Sequence, residues 1–105
     1  MSTSPEAGRV FVELTVEDTL AFYRPELETY VVNPRIATQT NTWVYDVPAE
    51  LVVEGALSPA GLERIFAQLY GPNWRSGNSD GSRYTVINVT SRIVSSTDKK
   101  VRRLL

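Results

Sequence analysis

One segment of this chain carries helix punctuation at both ends, and it decides what the rest must be. In "SPAGLERIFAQLYG", Ser58 is a good N-cap, Pro59 occupies the first helical position and Gly71 is placed to end the helix. Leu62, Ile65, Phe66 and Leu69 recur at i, i+3, i+4 and i+7, so they form one apolar stripe. Glu63, Arg64 and Gln68 fall off it. A single helix cannot bury its own stripe. It must lie on a sheet, and the remaining patterns supply one.

"RVFVELTV" alternates. Val10, Val12, Leu14 and Val16 share one face; Arg9, Glu13 and Thr15 share the other with Phe11. Phe11 on the polar side predicts that this face too is partly covered. "TVEDTLAFYRP" has Thr15 and Asp18 at capping-box spacing and a stop at Pro25, which predicts a short helix over Val16 to Tyr23. "ETYVVNPRI" reads as a short strand ending at Asn33-Pro34, and "IATQTNTWVYDVP" as another. "ELVVEGAL" is ambiguous between strand and helical turn, and Val52 and Val53 favour strand. "RYTVINVTSRIV" is a long strand whose apolar phase changes, so a bulge near Val86–Ile87 or burial on both faces is expected. "NVT" at Asn88–Thr90 matches a glycosylation acceptor but is read as part of this strand. The sum is an α+β domain. A mainly antiparallel sheet of about four to five strands is packed by the main helix Pro59–Tyr70 and one short helix. Residues 1–8 read as a mobile leader, 9–95 as the domain and 96–105 as a basic tail.

Composition removes several chemistries. The chain has 105 residues, no cysteine and no histidine. Disulfides, thiolate metal sites and thiol catalysis are excluded, along with the commonest general base. No apolar run approaches the about 18 residues of a membrane span, and the N-terminus lacks the features of a signal peptide. A soluble, cytoplasmic protein is the expectation. The carboxylates Glu13, Glu17, Asp18, Glu50 and Glu54 have no spacing that pairs any two, and read as solvated surface acids. No catalytic residue, metal or cofactor is expected.

The net charge of −1 conceals a split. Residues 1–63 hold ten acids against three arginines, a net of −7, and residues 64–105 hold eight bases against two acids, a net of +6. The simplest reading is that the two sets face each other or the solvent; a charged partner site is the other.

The most motif-like stretch is "WRSGNSDGSRY", Trp74 to Tyr84. A phosphate loop would need a strand before it, a helix after it and a Lys, and it has none of these. As a calcium loop, Ser76, Asn78, Asp80 and Gly81 fit positions one, three, five and six, but the twelfth is Ile87 instead of a bidentate Glu. The composition is that of a turn. Its rims are different: Trp74, Arg75, Arg83 and Tyr84 combine the residue types enriched at interface hot spots. These four are the first candidate contact surface. Lys99, Lys100, Arg102 and Arg103 of the tail are the second, with Val101, Leu104 and Leu105 as apolar anchors on a helical turn.

The segments "GRVFVELTV", "WVYDVP" and "SRIVSS" resemble strands of small phycobilisome linker domains only in short patterns that many strands share, and no function is carried over from them. The expectation is a non-enzymatic protein-binding module: an adaptor, an inhibitor or a component of a larger assembly. A nucleic-acid accessory role for the basic C-terminal half is the alternative, and a carboxylate-only enzyme the third.

Overall fold

A computed structural model describes residues 2–32, 38–77 and 81–104. Its axis is one strand, β1 (Arg9–Arg24). At about 3.3 Å per residue, sixteen extended residues span about 53 Å, and the longest dimension of the molecule is 52 Å. The radius of gyration, 15.8 Å, exceeds the about 13 Å of a compact domain this size. The excess arises because β1 runs well past the core.

β1 pairs on one edge with β6 (Ser82–Val94) along residues 11–22. Its other edge is shared end to end. β3 (Gln39–Pro48) pairs with residues 9–18, and β2 (Thr29–Val32) with residues 21–24. All these pairings are antiparallel. β7 (Val101–Arg103) joins the far side of β3 in parallel and completes a five-stranded sheet. Between β3 and the helix lie a 3₁₀ turn, Ala49–Leu51, and a two-stranded hairpin of β4 (Val52–Val53) and β5 (Ala56–Leu57). The ambiguous "ELVVEGAL" is therefore both turn and strand.

The helix α1 (Pro59–Tyr70) forms as expected: the Ser58 hydroxyl accepts from the Gly61 amide, and Gly71 ends it with φ of 96°. Its stripe lies on the face of β1 that carries Val12, Leu14 and Val16, all fully buried, with Tyr45 and Val47 from β3 beside them. Gly61 lets the first turn sit close, since a Cβ there would lie 2.9 Å from Leu57 Cδ1.

The short helix expected over Val16 to Tyr23 is strand. Its capping-box spacing is real, but the same residues also alternate, and here β1 has strand partners on both edges. The lone short helical element among the described residues is the 3₁₀ turn instead. The bulge falls where the phase change put it: β6 slips register opposite Glu17 and Asp18, which leaves Ile87 unpaired and half-exposed. The strand boundary at Asn33-Pro34 lies outside the described residues.

The face opposite the helix is covered at one end, as Phe11 required. Residues 95–100 cross from β6 to β7 over that face; Thr3 pairs with Thr97, Lys99 reaches Glu13, and Phe11 is 2% exposed. The helical turn expected at the chain end is the strand β7, and Leu104 belongs to the core. Two things hold the segment extended: the open edge of β3, and the Arg9 guanidinium, which donates to the Leu104 carbonyl at 2.6 Å. Leu105 lies outside the described residues.

This arrangement accounts for part of the charge split. Arg92 and Lys99 both pair with Glu13, Arg103 with Asp46 and Glu6, and Arg75 with Glu63. In each pair the acid comes from the first part of the chain and the base from the second.

Candidate functional site

The helix ends at Gly71 and the chain turns back through Trp74, whose amide donates to the Gly71 carbonyl at 3.3 Å. This turn lays the indole against the last helical turn. Trp74 meets Phe66 edge-on at 5.5 Å and Tyr70 at 5.9 Å, while Tyr70 stacks on Tyr84 at 4.6 Å. Tyr84 and Val86 belong to the part of β6 before the bulge, so the slip in register is what turns them toward the helix side. Each aromatic pair contributes about 0.5–1.5 kcal/mol beyond its buried area. The cluster therefore fixes the loop at its start.

Beside this cluster is a cavity of about 300 Å³. Phe66, Trp74, Tyr84 and Val86 give it an apolar wall, and Arg75 and Arg83 bring in two guanidinium groups. That volume is at the lower end of the range for ligand pockets. Arg75 lies over the Trp74 ring, 4.7 Å from its centroid, and donates to Glu63 Oε1. Both partners of that ion pair are more than half exposed, so it contributes less than about 1 kcal/mol and is easily exchanged. Arg83 lies over the Tyr30 ring, 3.9 Å from its centroid. No carboxylate pairs with Arg83 among the described residues. Stacking holds each fork in one plane; Arg83 has no carboxylate partner among the described residues, and Arg75 can exchange its exposed one for a planar anion.

The four rim residues read from the sequence thus converge on one cavity. The tail bases do not. Lys99, Lys100, Arg102 and Arg103 lie on or just before β7, at the opposite edge of the sheet from β6. Lys99 and Arg103 are engaged with acids, and Arg102 stands by the Tyr45 phenol. Phe66, Thr85 and Val86 also line the cavity and Tyr30 lies under Arg83 beside it; none of these was read from the sequence as a site residue. Phe66 gave a signal only as part of the helical stripe; one ring serves both core and cavity. Of the calcium-loop positions, Asn78 and Asp80 lie outside the described residues. No group of three acids that could hold a metal occurs among the described residues, and none of their helices is long and apolar enough to cross a membrane.

Asp18 corrects the view of it as a solvated acid. It is buried on the helix side of β1, and the Tyr70 hydroxyl donates to its Oδ2. Burial, and then this bond to Asp18, push the Tyr70 phenol well above its ordinary value. Burial raises Tyr45 as well, with the Arg102 guanidinium opposing the shift. The consequence for stability has a definite sign. Below the ordinary phenol pKa of about 10 both states keep these protons. Above it the unfolded chain releases them while the folded chain holds them to higher pH, so stability falls as pH rises. Denaturant melts taken from neutral to strongly alkaline pH are expected to show this loss, with a shallower fall in Tyr70→Phe.

No protein-family model, no curated protein and no solved structure matches this chain.

Proposed function

We propose that this chain is a non-enzymatic protein-binding module, an adaptor, inhibitor or assembly component, and that Trp74, Arg75, Arg83 and Tyr84 form its contact site. The observation that carries this reading is their convergence: two aromatics and two guanidinium groups from the two ends of one loop border one cavity. Such sites place Trp, Tyr and Arg at the centre of an interface, where they account for most of the binding energy. The composition supports the same reading, since the chain has neither His nor Cys and its best-buried acid near the cavity, Asp18, is already engaged by Tyr70. The basic tail is a weaker candidate for nucleic acid, because two of its four bases are spent on acids of the chain itself.

A capture experiment from native cell extract, at low and moderate salt and with nuclease in parallel, tests the reading. A protein captured in all conditions is the expected result. Capture lost on nuclease treatment would point to the basic C-terminal half instead.

A further inference from the structure

Past the end of α1, the strands β2, β1 and β6 continue as a three-stranded arm. Its tip is the turn Pro25–Glu28, closed by the Leu27 amide to the Arg24 carbonyl and the Glu28 amide to the Pro25 carbonyl. Leu27 is 62% exposed, the most exposed large apolar side chain among the described residues. Glu26 and Glu28 flank it and are exposed too. One apolar side chain between two carboxylates is the chemical complement of an apolar wall between two guanidinium groups.

We propose that the cavity at Trp74, Arg75, Arg83 and Tyr84 receives the Glu26-Leu27-Glu28 tip of a second copy of this chain. The proposal rests on reading that cavity as a protein-contact site, and it names the occupant. Leu27 meets Phe66, Trp74 and Val86. The two carboxylates meet Arg83, which has no carboxylate partner among the described residues, and Arg75, whose exposed bond to Glu63 exchanges at little cost. Tip and cavity lie on the same arm. Arg83 pairs with Ala21, and the turn starts past Arg24, so the two are separated by about 10–20 Å along the strand. Two arms laid antiparallel place each tip at the other's cavity. The contact is then reciprocal and closes as a two-fold dimer instead of growing into a filament. The β4–β5 turn, with Val53 and Glu54, is another exposed apolar–acidic element. It has one acid instead of two and lies off the arm, where no such reciprocity exists.

Sedimentation equilibrium from micromolar to millimolar chain tests this directly. The expected mass rises from one chain to two and no further, and the association weakens with salt. Glu26→Lys with Glu28→Lys, and separately Arg83→Glu, are each expected to weaken association by about tenfold or more. Combining the tip reversal with Arg75→Glu and Arg83→Glu restores it. Leu27→Ala weakens it, and Glu54→Lys leaves it unchanged. A single-chain mass at every concentration overturns the proposal, and so does association that neither reversal weakens. The tip variants alter only exposed side chains, so they decide the matter even where Arg83→Glu disturbs the fold. The outcome is separable from the binding reading: a monomer that still captures an extract protein through Arg83 overturns the dimer alone, and a tip-dependent dimer that captures nothing overturns the external partner alone.

Discussion

Replacing Asp46 by alanine is expected to lower folding stability by about 3 kcal/mol, the lower end of the cost of removing one partner from a buried ion pair, because this pair is part-buried. Asp46 is 9% exposed, in the middle of the sheet. Its carboxylate accepts from Arg9 Nε at 2.6 Å and has Arg103 Nη1 at 3.5 Å. The Arg9 side chain is itself 14% exposed and cannot turn away, because its Nη2 also donates to the carbonyls of Asp46 and Leu104. Truncation therefore leaves a part-buried guanidinium whose Nε has lost both its acceptor and its counter-charge. The loss is a large fraction of the total, since domains of this size are stable by only about 5–15 kcal/mol. It also loosens the chain end, because the same arginine ties Leu104 to the sheet. Asp46→Asn keeps an acceptor for Arg9 and should lose clearly less. Urea melts of both variants check the order; equal melts for Asp46→Ala and the unaltered chain would refute the account.

Ile65→Ala is the second large effect, expected at about 2–5 kcal/mol. Ile65 is fully buried in the cluster that joins α1 to β1 and β3. It is the contact on which the only α-helix among the described residues depends, with Phe66 next to it. Removing its side chain deletes apolar area and leaves a cavity between two rigid elements that cannot close over it. The effect should reach the candidate site as well. Phe66 and Tyr70 hold Trp74, so loosening the helix should broaden and red-shift Trp74 emission, read in a Trp43→Phe background. A melt within 1 kcal/mol of the unaltered chain, on the order of an exposed-site change, would mean that the helix is held by something other than this stripe.

The elements legible in the sequence were those whose signal is local. α1 carries its own cap, its own stop and a 3.6-residue stripe. The first half of β1 alternates, and Phe11 on the wrong face correctly implied a cover. The parity change in "RYTVINV" pointed to a bulge near Val86–Ile87 or to burial on both faces, and the bulge is what forms. The second half of β1 shows the limit. "TVEDTLAFYR" satisfies a helix cap and a strand alternation at once, and only the pairing with β6 and β2, which comes from distant sequence, decides between them. Asp18 failed for the same reason: its partner Tyr70 is 52 residues away. The path of residues 95–104 was equally hidden, since a short basic segment gives no sign that it crosses a sheet and adds a strand. Within the candidate site, the rim residues were legible by type and position. Phe66 and Tyr30 were not, because one was absorbed into the core stripe and the other came from a strand remote in sequence.

The most direct test of the contact site compares capture by the unaltered chain with capture by Arg83→Glu and by Trp74→Ala, each first shown to keep its thermal midpoint within a few degrees. Arg83→Glu inverts the charge that no carboxylate of the described chain balances, and Trp74→Ala removes an aromatic wall of the cavity. The account expects a protein captured by the unaltered chain to be lost, or weakened about tenfold or more, with either variant. Undiminished capture by both folded variants would show that the chain binds elsewhere and that the cavity is not its contact site.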